Sequence, residues 1–208
     1  HTNRNAYLKD GLLVLRAQQE SYGGRSYTSS RLKTQGKQNF KYGRIDVRAR
    51  LPEGAGIWPA LWMLGKNITD VGWPNSGEID IMEMVGGNSP QDKHPDGDRT
   101  AVGTMHWNNN GLNGSYSPVS TGGYRKLSTS LSEEFHVFSI QWDVNGIGWY
   151  IDDVRYSFKT INSSQPFREE FFFVMNIAVG GNWPGSPNSS TAFPQRMVVD
   201  YVRVFQKN

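Results

Sequence analysis

The 208-residue chain has 22 basic and 19 acidic residues, and its net charge of +3 argues against a nucleic-acid-binding protein. Cysteine is absent, which excludes disulfides and thiol catalysis, and no apolar run reaches the roughly 18 residues of a membrane span. Seven Trp, nine Tyr, ten Phe, 23 Gly and 10 Pro suit many short strands and turns around a single core. We expect one domain over residues 1–208, without a nucleic-acid or membrane partner.

Alternating segments and apolar runs, separated by turn residues, predict about a dozen short strands. In chain order they are expected at 11–17, 26–32, 43–51, 57–64, 77–84, 100–107, 136–143, 148–151, 154–159, 171–178 and 197–205. Segments 67–76, 86–99, 108–123 and 180–190 are turn-rich and are predicted to be loops. The one helix signal is Ser130 with Glu133, a cap-like pair that predicts a short helical turn. This pattern predicts an all-β fold, a jelly-roll sandwich of two antiparallel sheets.

Basic residues gather between Arg31 and Arg50. In the predicted strand 43–51 they alternate with Ile45, Val47 and Ala49. This alternation is typical of the solvent-facing side of a strand rather than of a nucleic-acid-binding patch.

The predicted strand 77–84 carries three acids. Glu78 and Asp80 lie two residues apart and therefore share one face, whereas strict alternation would point Glu83 into the core. A lone buried Glu is costly. One extra residue near Ile81-Met82, a β-bulge, would turn Glu83 to the face of the other two acids, and we predict this bulge.

Three carboxylates so close together would raise at least one pKa, because no Lys or Arg lies between Lys66 and Lys93 to neutralise them locally. A raised carboxyl pKa suits a general acid, and a pair of carboxyls about 5–5.5 Å apart suits retaining cleavage of a glycosidic bond. Two alternatives stay open from these residues alone. One is a solvated strand face whose partners come from elsewhere in the fold, and the other is a Ca²⁺ site built from oxygen ligands.

Tryptophans surround this segment in the sequence. Trp58 and Trp62 would share a face with Ala60 between them, which leaves a flat platform for sugar rings; the alternative is that they are core residues. Pro59 favours a strand that is not fully paired. Trp73 and Trp183 are predicted to be exposed, and Trp142 and Trp149 to be buried. His106 is a candidate site residue or a structural histidine.

With these residues in view, the chain resembles glycoside hydrolase family 16, and within it the laminarinases. The bulged signature is Glu-x-Asp-x-x-Glu, here Glu78 to Glu83. Supporting segments, in the same order as in the family, are Tyr42-Gly43-Arg44, the run 58–64, Trp73-Pro74-Asn75-Ser76-Gly77, Gly103-Thr104-Met105-His106, the run 176–181 and the closing run 200–204. They cover nearly the whole chain. The signature is shared with agarases and carrageenases, whereas the Trp-rich segments are what resemble laminarinases.

The resemblance implies a concave cleft and retention of anomeric configuration, with Glu78 as nucleophile, Glu83 as acid/base and Asp80 as the assisting carboxylate. It implies sugar contacts from Trp58, Trp62, Trp73, His106, Asn176 and Trp183. It implies no cofactor for catalysis and a structural calcium held by Asp200 and the Gly11 carbonyl.

We therefore expect a secreted monomer that acts on β-1,3-glucan as an endo-hydrolase. Alternatives are a mixed-linkage β-1,3-1,4-glucanase, a transglycosylase or a non-catalytic glucan-binding lectin. Family members usually have an N-terminal strand pair and a loop before the segment that matches Tyr7-Leu8-Lys9-Asp10-Gly11. We expect that strand pair and loop to be absent from residues 1–208.

Overall fold

The computed structural model describes residues 4–87, 96–111 and 114–206. Within them, fourteen strands, numbered β1 to β14 along the chain, form two antiparallel sheets. The eight-stranded sheet consists of β1 (Ala6–Lys9), β2 (Leu12–Tyr22), β3 (Arg25–Thr28), β5 (Gly43–Arg50), β10 (His136–Trp142), β11 (Gly146–Ile151), β12 (Val154–Thr160) and β14 (Gln195–Phe205). The six-stranded sheet consists of β4 (Arg31–Lys33), β6 (Ile57–Gly65), β7 (Glu78–Glu83), β8 (Thr100–Asn108), β9 (Pro118–Lys126) and β13 (Phe171–Val179). The all-β prediction is confirmed.

The strand order places β7 in the interior of its sheet. The eight-stranded sheet runs β1-β2-β14-β5-β10-β11-β12, with β3 paired to β2, and the six-stranded sheet runs β4-β13-β6-β7-β8-β9. β7 therefore has β6 on one side and β8 on the other. A strand held by two ladders gives its side chains fixed positions, which a catalytic group requires.

The core lies between the two sheets. Val47 and Trp149 of the eight-stranded sheet and Met63 and Ile79 of the six-stranded sheet are completely buried. Burying a large apolar side chain stabilises the fold by about 1.5–3 kcal/mol. Because strand side chains alternate, the residues next to these point to the outer face of each sheet, and the site residues come from that set.

Two sequence predictions about strands were wrong. The single strand predicted at 26–32 is two short strands, β3 and β4, which belong to different sheets because the chain crosses between them at Ser29-Ser30. The loop predicted at 108–123 ends at Pro118, where β9 begins. The Gly- and Ser-rich composition of β9 favours a loop, but full pairing with β8 overrides that local preference.

Helical structure is slight in the described residues. A four-residue helix, α1 (Ile68–Val71), lies in the segment predicted to be a loop, and 3₁₀ turns occupy Gly97–Arg99 and Pro166–Arg168. Ser130 and Glu133 form a turn instead of a helix, although the predicted contact is present: the Ser130 backbone N–H donates to Glu133 Oε1 at 3.2 Å. No helix in the described ranges is long and apolar enough to cross a membrane.

Candidate active site

The bulge in β7 brings the three acids to one face. Along β6, Asp80 and Met82 pair with successive residues, so Ile81 is the extra residue. Along β8, the two residues between Asp80 and Glu83 stand opposite Gly103 alone. The predicted bulge is confirmed. We call the outer side of the six-stranded sheet that carries Glu78, Asp80 and Glu83 the acidic face.

Glu83, the last residue of β7, is 9% exposed. Its Oε1 accepts a 3.0 Å hydrogen bond from the indole N–H of Trp58 on β6. Burial raises the pKa of Glu83 well above its usual range, and the charges of Asp80 and Glu78 raise it further, against opposing effects of His106 and Trp58. A carboxyl that holds its proton towards neutral pH suits a general acid.

Asp80 stands between the two glutamates in the sequence of β7 and is only 2% exposed. The pKa of Asp80 is raised well above its usual range, first by burial, then by the charge of Glu78 and by a hydrogen bond with that side chain. Its Oδ2 lies 3.0 Å from Nε2 of His106 on β8. The raised pKa favours the protonated form of Asp80, which can donate a hydrogen bond to the Glu78 carboxylate.

Glu78, at the start of β7, has a different environment from Glu83. Burial raises the pKa of Glu78, but the charge of His106, hydrogen bonds from Trp73 and Asp80, and the charge of Arg31 all favour its ionised form. Glu78 is also more accessible than the other two acids. These differences favour an ionised Glu78 beside a protonated Glu83, which is the division of roles that a nucleophile and a general acid need.

The predicted tryptophan platform lies beside these acids on β6. Trp58 and Trp62 are half-buried, with Ala60 between them on the same face. The Trp62 indole N–H donates to Asn176 Oδ1 at 2.8 Å, and the Arg31 guanidinium carbon lies 5.1 Å from the centre of the Trp62 ring. Both contacts fix the plane of the Trp62 ring on the acidic face.

The other aromatic residues follow the predictions with one exception. Trp73 is 45% exposed, with its ring centre 6.4 Å from that of His106. Trp142 and Trp149 are buried as predicted. Trp183 is half-buried rather than exposed, because its ring packs edge-on against Trp58 at a centroid distance of 5.6 Å.

Pro59 was expected to keep its strand from full pairing, and β6 is fully paired with β13 but not with β7. β6 is an interior strand, paired with β13 and β7. The ladder with β7 ends at Ala60, so the missing N–H of Pro59 falls beyond the last pair. The Pro59 carbonyl still accepts a hydrogen bond from the Met84 N–H at 3.2 Å.

Two side chains at the acidic face were not among the predicted site residues. Arg31, which the sequence places in a run of solvated basic residues, contacts Trp62 and acts on Glu78. The ring of Tyr116 lies 6.5 Å from that of Trp73. The sequence around Arg31 or Tyr116 does not indicate a site residue, because each reaches the acidic face from a distant segment of the chain.

The donor groups of the acidic face do not match a calcium site. Among the residues that the structure describes, one group of at least three His and acidic side chains, Glu78, Asp80 and His106, has ligand atoms within 4.8 Å of one another. An imidazole and two carboxylates fall short of the six to eight oxygen ligands that Ca²⁺ takes. The donor set therefore fits acid–base chemistry better than calcium binding.

The calcium ligands implied by the family resemblance lie elsewhere. Asp200 is in β14, and Gly11 is in the turn between β1 and β2. Asp200 Oδ2 accepts a 2.7 Å hydrogen bond from Nη1 of Arg48. A calcium ion at Asp200 would have to compete with this ion pair, and the site stays a prediction.

Two carboxyls of one strand whose pKa values are raised to different extents lie beside a tryptophan platform on a β-sandwich. This arrangement is typical of a glycosidase site. A model of the glycosyl hydrolases family 16 matches residues 1–203. The beta-glucanase of Rhodothermus marinus is 42% identical over 214 residues, which cover 97% of this chain and 70% of that protein. Glucan endo-1,3-beta-glucosidase A1 of Niallia circulans is 36% identical, and its match covers this chain fully but only 31% of that protein.

The structure is likewise similar to solved family structures. The laminarinase catalytic domain of Thermotoga maritima superposes with a TM-score of 0.85 at 41% sequence identity, and the match covers 100% of this chain and 82% of that one. The chain belongs to glycosyl hydrolase family 16, and it is a glycoside hydrolase.

Proposed function

We propose that this glycoside hydrolase cleaves internal β-1,3-glucosidic bonds of laminarin-type β-glucans with retention of anomeric configuration. The observation that carries the proposal is the contrast between two glutamates of one strand: burial raises the pKa of Glu83 well above its usual range, while the pKa of Glu78 is raised less strongly because neighbouring groups favour its charge. The bulge gives both the same face of the sheet.

The proposed reaction proceeds in two displacements. Glu78 attacks the anomeric carbon and forms a glycosyl ester, while Glu83 gives its proton to the departing glycosidic oxygen. Glu83, now a carboxylate, takes a proton from water, and the resulting hydroxide displaces Glu78 from the anomeric carbon. The hydrogen bond between Asp80 and Glu78 stabilises the Glu78 carboxylate before attack and after release.

The substrate assignment rests on the aromatic surface and on the relatives. Trp58 and Trp62 offer ring faces beside the acids, and flat aromatic surfaces suit the C–H faces of sugar rings. The names of two similar proteins, a laminarinase and an endo-1,3-beta-glucosidase, point to β-1,3-glucan. Secretion and a monomeric state, expected from the family resemblance, accompany this proposal.

A product analysis tests the proposal. Laminarin, lichenan, agarose and carrageenan are incubated separately with the enzyme, and reducing ends and product lengths are measured over time. We expect laminarin to be cleaved fastest, with intermediate oligosaccharides appearing before glucose. Products longer than a starting oligosaccharide would indicate a transglycosylase, and faster cleavage of lichenan a mixed-linkage enzyme. Binding to laminarin without new reducing ends would overturn the proposal in favour of a lectin.

A further inference from the structure

Trp149 reaches across the core from the opposite sheet to the catalytic bulge. It belongs to β11 of the eight-stranded sheet and is completely buried. Its indole N–H donates a 2.8 Å hydrogen bond to the backbone carbonyl of Asp80, the residue at which the bulge begins. One end of the catalytic segment is thus tied to the other layer of the sandwich.

A bulge creates the need for such a partner. The extra residue interrupts the regular ladder and leaves backbone groups of the bulged strand without their usual partner. A buried carbonyl without a hydrogen bond costs about 1–3 kcal/mol. The indole of Trp149 satisfies the Asp80 carbonyl, and it also ties that carbonyl to one position relative to the opposite sheet.

The residue opposite the bulge leaves room for this indole. Gly103 of β8 faces the two bulged residues, and a methyl group there would lie 2.2 Å from Cδ1 and 2.6 Å from Nε1 of Trp149. These distances are well below van der Waals contact, so the indole, together with the Tyr156 hydroxyl at 2.6 Å, occupies the space that a side chain at 103 would need. Gly103 and Trp149 therefore act as a matched pair around the bulge.

We propose that Trp149 is a positioning residue for the reaction: by holding the Asp80 carbonyl it fixes the bulge that turns Glu83 to the same face as Glu78. This inference rests on the proposed function; Trp149 itself is completely buried in the core between the sheets. Small displacements of catalytic groups have large effects, since a shift of about 1 Å can cost about 100-fold in rate.

Trp142 provides a matched control for Trp149. It lies in β10 of the same sheet, is 2% exposed, and donates its indole N–H to the Phe167 carbonyl at 2.9 Å. Trp142→Phe and Trp149→Phe therefore remove the same atoms and the same kind of hydrogen bond from the same core. Only Trp149 holds the catalytic strand.

We expect both variants to lose similar thermal stability, while Trp149→Phe lowers kcat on laminarin about 10- to 100-fold with KM little changed. Trp142→Phe should keep kcat within about twofold of the wild type. Equal kcat values in the two variants, with an active wild type, would overturn the inference. An inactive wild type would instead count against the proposed function.

The pH profile supplies a readout that lost packing alone would not move. The raised pKa of Glu83 depends on burial and on the charges of Asp80 and Glu78, opposed by His106. A relaxed bulge admits water and separates these acids, so the alkaline limb of kcat against pH should move to lower pH in Trp149→Phe. An unmoved limb in a folded variant with lowered kcat would contradict positioning of the acids.

A second pair of variants covers the case in which Trp149→Phe does not fold. Gly103→Ala would place a methyl group against the indole of Trp149. Gly123 is the cross-strand partner of Gly103, and Gly123→Ala would place a methyl group 2.8 Å from the Ser157 side chain instead. We expect Gly103→Ala to lose kcat and Gly123→Ala to retain it at comparable stability. Equal activity in these two variants would overturn the inference.

Discussion

The acidic side chains on the outer faces of the two sheets differ in their burial and in their partners. On the eight-stranded sheet, Arg44 Nε lies 2.6 Å from Asp46 Oδ1, and Arg48 Nη1 lies 2.7 Å from Asp200 Oδ2, in ion pairs that are partly exposed to solvent. On the acidic face, Asp80 and Glu83 are buried, and their pKa values are raised well above the usual range. The same alternating strand pattern thus produces a solvated surface on one sheet and a reactive site on the other.

The difference lies in the partners that each acid receives. Each aspartate on the eight-stranded sheet faces an arginine at hydrogen-bond distance, whereas the three acids of β7 mainly face one another, a histidine and indole N–H groups. Exposed pairs contribute about 0–1 kcal/mol to stability. Buried acids with raised pKa values reduce stability at neutral pH and gain chemical reactivity instead.

The largest expected effect comes from removing the proposed nucleophile. Glu78→Gln keeps the shape of the side chain but cannot form the glycosyl ester, so laminarin cleavage should fall at least about 1,000-fold. Asp46→Asn is the matched control on the other sheet, and its activity should stay close to wild type. Rates are measured as new reducing ends. Full activity in Glu78→Gln would remove Glu78 from the mechanism.

Loss of the acid/base group should be large but chemically rescuable. Glu83→Ala removes the proton donor and the later base, which costs about 100- to 10,000-fold. With a substrate that has a good leaving group, added azide enters the open position, and turnover should recover with a β-glycosyl azide as product. Chromatography with NMR identifies the product, and an α-glycosyl azide would instead indicate inversion.

The tryptophan platform predicts a smaller effect on substrate binding. Trp62→Ala should raise KM for laminarin about 10-fold by removing one stacking surface. Tyr150→Ala is its counterpart on the eight-stranded sheet, since an arginine also lies over that ring, Arg44 at 5.9 Å. Steady-state kinetics on both variants test the contrast, and equal KM values would show that the acidic face does not hold the sugar through Trp62.

The smallest expected effect is a gain in stability. Because the folded pKa of Glu83 is raised, its contribution to stability is fully present below the ordinary glutamate pKa of about 4.3 and is lost as pH rises through the folded value. Glu83→Gln should therefore be more stable than wild type at neutral pH, by about 1–2 kcal/mol or several degrees in Tm.

Thermal unfolding at several pH values measures this effect. The gain should shrink as the pH falls towards 4 and should be absent in Asp200→Asn, whose carboxylate is ion-paired in the folded protein. A Glu83→Gln variant that is less stable than wild type at neutral pH would show that the buried Glu83 carboxyl does not lower the stability of the fold.

Local pattern was sufficient for much of this fold and site. Alternation located β5, and the conflict between alternation and a buried Glu83 located the bulge. Local pattern was insufficient wherever a distant segment decides the outcome. The approach of Arg31 to Trp62 and the bond from Trp149 to the Asp80 carbonyl join residues far apart in sequence. The pairing of the Gly-rich β9 likewise depends on its neighbour rather than on its own composition.

The anomeric configuration of the first product tests the central claim most directly. Wild-type enzyme is mixed with a laminari-oligosaccharide in an NMR tube, and the anomeric protons are followed before mutarotation equilibrates them. If Glu78 and Glu83 act as a nucleophile and acid/base pair, the β-anomer appears first and the α-anomer only later. An α-anomer that appears first would contradict the account.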